Sequence, residues 1–247
     1  MKKPANAPVS SFLRISFVQT AFFVDGYNVF YGLLAGTPYK WLDLSSLLEA
    51  IAHENDPRSQ VAEIHYFTSP VQPTLATRKQ QSKQAQDTYI RALKTRGIEV
   101  HWGRHRLDHR KAPRFISRDI PASRQDQVDI WNLEEKETDV RLGITMYRLA
   151  AKQSWGEAPE NRIQQIVLVS GDTDMTPALE AIRADFPHLR IGIILPHRKG
   201  VDRTPPGSLR KYADWMRRHI TTDELEAYQF PNRVHTRKKP ADKPEYW

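Results

Sequence analysis

The chain has 247 residues, 39% of them hydrophobic and none of them cysteine, with 37 Lys and Arg against 29 Asp and Glu for a formal charge of +8. Disulfides, thiolate nucleophiles, Cys-ligated zinc and iron–sulfur clusters are therefore excluded. The length suits one large or two small domains, the modest apolar share leaves room for unpacked segments, and the positive balance favours polyanionic partners, nucleic acid first. No run is long and apolar enough to span a bilayer. Arg14 and Gln19 interrupt the only N-terminal apolar stretch, which makes a poor signal peptide, so the expected location is the cytoplasm.

Residues 1–18, with Pro4 and Pro8, read as an irregular lead-in. A first strand follows at about 20–25, and the loop over 27–41 is rich in rings (Tyr27, Phe30, Tyr31, Tyr39, Trp41), a stacking surface or a packed loop. Residues 42–53 carry Leu44, Leu47, Leu48 and Ile51 at helical spacing, with Asp43 as a plausible cap. Alternation over 61–67 predicts a second strand, 75–96 a long polar helix stopped by Gly97, and 98–102 a third strand.

The pattern lapses over 103–124, where Arg104, Arg106, Arg110, Lys111, Arg114, Arg118 and Arg124 outnumber Asp108 and Asp119. This segment is expected to be a basic insertion or mobile flap, either solvated or contacting phosphates. A helix is predicted from Glu134 to about 153, a strand over 163–169, a helix over 175–185, a strand over 189–195 and a basic amphipathic helix over 209–219. From 223 to 247 the prolines and the cluster Arg237, Lys238, Lys239 predict a disordered basic tail. Strands alternating with helices mean an α/β fold with a mostly parallel central sheet of about five strands.

Two apolar runs end in carboxylates. Residues 21–24 lead into Asp25, Gly26 and Asn28, and residues 166–169 lead through Ser170 and Gly171 into Asp172 and Asp174. In open parallel sheets, ligands collect at the carboxyl ends of the strands. Asp139, at the start of its helix, joins this edge if the fold brings the helix end over it. Carboxylates so grouped repel one another, and a hard divalent ion such as Mg²⁺ or Mn²⁺ relieves that repulsion. Each acid also has a purely structural reading: Asp25 starting a turn, Asp172 and Asp174 (or Thr173) capping a helix, Asp139 favouring a helix N-terminus.

The segments Asp25-Gly-Tyr-Asn28, Lys136-Glu-Thr-Asp139 and Ser170-Gly-Asp-Thr-Asp174 resemble the three signature motifs of the NYN domain family, a branch of the PIN-like, FEN-like nuclease superfamily. The resemblance spans about 20–220, which sets a domain over 19–222, and implies a PIN-like three-layer fold. It also implies a metal-dependent ribonuclease, with Asp25, Asp139, Asp172 and Asp174 as metal ligands and Asn28 as their polar neighbour. On this reading Lys136 stabilises developing charge, and Arg104, Arg106, Arg110, Lys111, Arg114, Arg210, Lys211 and Arg217 grip RNA. The family often has Gly where this chain has Glu137, and Phe where it has Met175.

Two other readings stand beside the nuclease. NYN-like chains also include an NADH-dependent pyridine-ring monooxygenase of nicotine degradation, acting on a 6-hydroxy-3-succinoylpyridine type of substrate. Tyr27, Phe30, Tyr31 and Trp41 could hold such a ring, although the chain has no recognisable redox-cofactor motif. A non-catalytic RNA-binding module is the third reading. His101, His105 and His109 are spaced by four, but Gly103 and the arginines around them argue against a helix that would align them on zinc.

Overall fold

The computed structural model describes residues 17–153, 162–200 and 204–247; most of the predicted lead-in lies outside them. Six strands form one parallel sheet: β1 (Val18–Asp25), β2 (Ser59–Thr68), β3 (Glu99–Trp102), β6 (Gln165–Val169), β7 (Arg190–Ile194) and β8 (Trp215–Arg217), in the order β3-β2-β1-β6-β7-β8. The order reverses between β1 and β6, which pair from Thr20↔Gln165 to Val24↔Val169. Their carboxyl ends therefore open side by side at the switch point, the place where such sheets bind ligands.

The two central strands are buried on both faces, as continuous apolar sequence requires. Phe22 and Val24 of β1, with Val167 and Val169 of β6, face helices α2 (Leu44–Asn55) and α3 (Gln80–Thr95). Ala21, Phe23, Ile166 and Leu168 face the opposite layer, formed by α4 (Thr138–Gln153) and α5 (Thr176–Asp185). This is the three-layer α/β arrangement expected of a PIN-like fold. Asp43 caps α2 as predicted, its carboxylate accepting from the Ser46 N–H.

Four expectations fail, each because a tertiary contact outweighs the local pattern. The basic segment is not a flap. Strands β4 (Arg104–Pro113) and β5 (Gln127–Lys136) form a ten-pair antiparallel ribbon, from Arg104↔Lys136 to Pro113↔Gln127. β4 is mostly polar and no ribbon residue is fully buried, so a hydrophobicity reading finds no core face there. For the same reason the helix does not begin at Glu134. Residues 134–136 pair with β4, and Glu137, at a φ of +75°, turns the chain into α4.

Residues 209–219 are not one helix. Turn α6 (Gly207–Arg210) ends early, and the chain drops into β8 on the edge of β7. Asp214 holds that exit by accepting from the Ile191 N–H and from Arg183, both at 2.7 Å. Gly192 admits the Trp215 indole so closely that a Cβ there would lie 2.3 Å from the ring.

The tail, expected to be disordered, is folded. Thr221 and Glu224 make a reciprocal capping box for α7 (Thr222–Ala227), and β9 (Arg233–Val234) pairs with β10 (Ala241–Asp242). Leu225, Phe230, Val234 and Ala241 are buried in the core layer of α2 and α3, and the Trp41 indole donates to the Pro231 carbonyl at 2.8 Å. A few widely spaced apolar anchors suffice where a tryptophan groove already exists to receive them.

Candidate active site at the carboxyl edge of the sheet

Asp25 ends β1 and caps the short helix α1 (Gly26–Val29). It is 4% exposed. One carboxylate oxygen accepts from the Asn28 N–H at 2.9 Å; the other accepts from the Asn28 amide and from the Ser170 hydroxyl at 3.0 Å. The Asn28 side-chain Oδ1 in turn accepts from the Gly171 N–H at 3.2 Å. The ends of β1 and β6 are thus tied through one carboxylate and one carboxamide. Burial raises the Asp25 pKa, against which the Asn28 and Ser170 hydrogen bonds act.

Beyond Ser170, the Asp172 carboxylate accepts from the Asp174 N–H at 2.9 Å and caps a 3₁₀ turn (Thr173–Met175) that leads into α5. Asp172 caps that turn only; α5 itself starts from Met175 with no side-chain cap, so neither Thr173 nor Asp174 caps it. Asp139, in the first turn of α4, reaches the same edge from above. Asp25, Asp139 and Asp172 each offer an oxygen within 4.8 Å of the others. Asp174 is exposed and stands outside this close group, although its charge still acts on Asp139. Loss of hydration pushes the Asp139 carboxyl up to about 6, helped by Asp25, Asp172, Glu135 and Asp174. Three oxygen donors with mutual repulsion of this kind form a fitting donor set for a hard divalent cation.

Sequence reasoning missed Glu135. It accepts from the Ser69 hydroxyl at 3.0 Å and from Thr138 at 2.6 Å, and its charge raises Asp25, Tyr27 and Asp139. Its position became legible only once residues 134–136 were known to be strand rather than helix. Lys136, on the alternate position, pairs with Glu134 along the ribbon rather than with the acid group.

The candidate RNA-gripping residues are mostly engaged elsewhere. Arg104 pairs with Glu137, Arg106 with Asp108, Arg110 with Glu134 and Arg114 with Asp126. Arg217 bridges Glu54 and Glu224, both at 2.6 Å, and so fastens β8 to α2 and α7. Lys111 and Arg210 are exposed, and Lys211, also exposed, has its amine over the Tyr212 ring.

A cavity of about 540 Å³ opens against the residues that follow Asp25, although none of the three grouped acids lines it. Gly26 and Tyr27, the residues after Asp25, form one wall with Phe30, Tyr31 and Tyr66; Tyr246 and Trp247 form another, and Lys40 and Arg78 supply cationic groups. The aromatic loop of the sequence is thus a lining, built on α1 and a π-helical turn (Phe30–Leu34), although Trp41 lies behind it in the core. His105, from the base of the ribbon, also reaches the cavity. Its Nδ1–H donates to the Pro70 carbonyl at 2.8 Å, which leaves Nε2 to accept from the Tyr27 hydroxyl at 3.1 Å. Burial and the Glu135 charge raise the Tyr27 pKa, keeping it protonated. The three evenly spaced histidines do not meet: His105 serves this cavity, His109 pairs with Asp129, and His101 lies against β2.

The six-stranded parallel sheet, its two helical layers and the acids at its switch point define an α/β protein of PIN-like architecture. The chain belongs to the NYN domain family, whose model matches residues 19–217. It is 34% identical over 248 residues to 6-hydroxy-3-succinoylpyridine 3-monooxygenase HspA of Pseudomonas putida (strain DSM 28022 / S16), an alignment covering 93% of this chain and 75% of that protein. A crystal structure of a protein of unknown function from Vibrio parahaemolyticus RIMD 2210633 is similar at a TM-score of 0.45 and 18% identity, covering 87% of this chain and 98% of that one. Among the described residues, no helix is long and apolar enough to cross a membrane.

Proposed function

We propose that this NYN protein is a small-molecule enzyme that adds one oxygen atom to a hydroxylated, carboxylate-bearing pyridine-type ring. The observation that carries this reading is the ring-lined cavity with Lys40 and Arg78 in its walls. Its volume, about 540 Å³, suits a single-ring substrate with a short acidic arm. The likeness to a 6-hydroxy-3-succinoylpyridine 3-monooxygenase supports it.

The chain's own groups would act as follows. Tyr27, Phe30, Tyr31 and Tyr66 stack on the ring and exclude water, while Lys40 and Arg78 hold the carboxylate. The hydrogen-bonded pair Tyr27–His105 is positioned to move a proton to or from a ring hydroxyl, since His105 Nε2 is the accepting nitrogen. Monooxygenation consumes O₂ and two electrons and releases water, with reduced nicotinamide the proposed donor. The sequence contains no G-x-G-x-x-G segment to cradle a dinucleotide, so no step is assigned through that molecule.

The decisive experiment is O₂ uptake by the full chain with 6-hydroxy-3-succinoylpyridine and NADH, with product mass as the second readout. Because carbon 3 already carries the succinoyl arm, oxygen entering there displaces that arm. The expected result is therefore a dihydroxylated ring that has taken up one atom from ¹⁸O₂ and a released four-carbon acid, formed with NADH oxidation and lost in Tyr27→Phe and His105→Ala. No uptake and no product would overturn the reading.

The grouping of Asp25, Asp139 and Asp172 favours a second reading, Mg²⁺- or Mn²⁺-dependent hydrolysis of RNA. Those three carboxylates would hold the ion, which would supply an activated water. Arg217 speaks against it, being half-buried between Glu54 and Glu224; the exposed pairs of Arg104, Arg106, Arg110 and Arg114 are weak enough for a phosphate to replace. Metal-dependent cleavage of an RNA pool, lost in Asp172→Asn, would favour it. RNA binding that survives that variant without any cleavage would point instead to a non-catalytic module.

A further inference from the structure

A second set of ligating side chains lies away from the acid group, on the face of β2 and β3 that packs toward α4. Parallel pairing sets His65 opposite Glu99 and Phe67 opposite His101, so alternation turns Glu63, His65, Glu99 and His101 to one side. Aromatic rings wall the pair in: Phe23 stacks on His65 at 5.1 Å and Phe67 on His101 at 4.5 Å.

The hydrogen bonds fix how these groups point. Glu63 accepts from His65 Nε2 at 2.9 Å, so that nitrogen carries the proton and Nδ1 presents its lone pair. That lone pair faces His101 Nε2 at 3.0 Å. Glu99 closes the triangle, with one oxygen 3.5 Å from His65 Nδ1 and the other 3.5 Å from His101 Nε2. Neighbouring ligands around a tetrahedral ion with bonds of about 2.0–2.1 Å stand about 3.3–3.4 Å apart. Two nitrogens and a carboxylate already hold that spacing, and only the proton between the imidazoles must shift, from His101 Nε2 to its Nδ1.

We propose that His65, His101 and Glu99 bind one divalent ion of the Zn²⁺ kind, with Glu63 holding His65 in the ligating tautomer. Imidazole nitrogens select such an ion over Mg²⁺, and a carboxylate on the outer ring nitrogen is the usual support for a metal-bound histidine. The positive charge of Arg141 reaches His101 and weighs against a cation; Glu63 and Glu99 together offset it. Glu99 is 65% exposed at its side chain, which gives an entry path and room for water as the fourth ligand. The ion would clip edge strand β3 to β2, just before Gly103 leads into the ribbon.

The test uses the full chain, stripped with chelator and then held in excess Mg²⁺ so that the acid group is satisfied. Co²⁺ is titrated while visible absorption is recorded, followed by displacement with Zn²⁺. One equivalent with the strong absorption of a four-coordinate ion is expected. Glu99→Gln should weaken binding about tenfold or more, His101→Asn should abolish it, and Asp172→Asn should leave it unchanged. Because Glu99 is exposed, Glu99→Gln should melt with the metal-free wild type, which keeps the test valid even if His101→Asn misfolds. No Co²⁺ binding by the wild type, or undiminished binding by Glu99→Gln, overturns the proposal.

Discussion

Ser170 donates its hydroxyl to Asp25 at 3.0 Å, across the gap where the strand order reverses. That bond, with those from Asn28, makes Asp25 a fastening of the fold as well as a member of the acid group. Its carboxylate is satisfied by protein donors on both oxygens, whereas Asp139 and Asp172 face the cleft.

The two roles separate by mutation. Asp25→Asn should cost about 1–3 kcal/mol in urea unfolding, because it leaves buried donors of Asn28 or Ser170 without their acceptor. Asp172→Asn keeps an oxygen for the Asp174 N–H and should change stability little while weakening Mn²⁺ binding, read by calorimetry. Equal stability loss in both variants would contradict the distinction.

The acid group should make stability fall with pH. The Asp139 carboxyl is raised from 3.8 to about 6 by lost hydration and by its acidic neighbours, so the folded state holds that proton more tightly than the unfolded chain does. Its contribution is present below about pH 4 and is lost as pH rises through about 6. Asp139→Asn should remove that decline, and Mn²⁺ should oppose it by taking the proton's place. Melting temperatures across this range, with and without Mn²⁺, are the check.

Glu137 sits at a φ of +75°, where a Cβ is strained and glycine is not. The NYN pattern often has Gly there, and this turn between ribbon and helix gives the physical reason. Glu137→Gly should be more stable than Glu137→Ala by about 1 kcal/mol, since both lose the Arg104 pair and only glycine relieves the backbone. Equal melting temperatures for the two variants would contradict the strain.

The C-terminal segment should count as core. Phe230 is 5% exposed and lies 5.8 Å from the Trp41 ring. Phe230→Ala should destabilise the whole domain by about 3 kcal/mol or more. A disordered tail would show no change in the denaturant midpoint.

The parallel sheet was legible because its central strands are buried on both faces and read as unbroken apolar runs ending in Asp25 and Ser170. The meeting of Asp25 with Asp172 followed from that register. The ribbon was not legible: Arg104 to Pro113 gains its pairing from β5 and not from any buried face. The Leu209, Tyr212, Ala213, Met216 spacing suggested a helix, but the open edge of β7 and the space over Gly192 drew the chain into a strand. The cavity escaped because its walls come from segments far apart in sequence, with His105 entering from a stretch that looked merely basic.

One of those walls has a bearing on biosynthesis. Tyr246 and Trp247 close a chamber whose floor is made by residues near Tyr27 and Tyr66, and Trp247 stacks edge-on against Trp41 at 6.2 Å. A ribosome delivers the floor early and that wall late. The nascent chain can assemble the sheet while the chamber still stands open, and the chamber closes only after residues 241–247 leave the exit tunnel. Any occupant of the chamber is thereby excluded until the fold beneath it is in place.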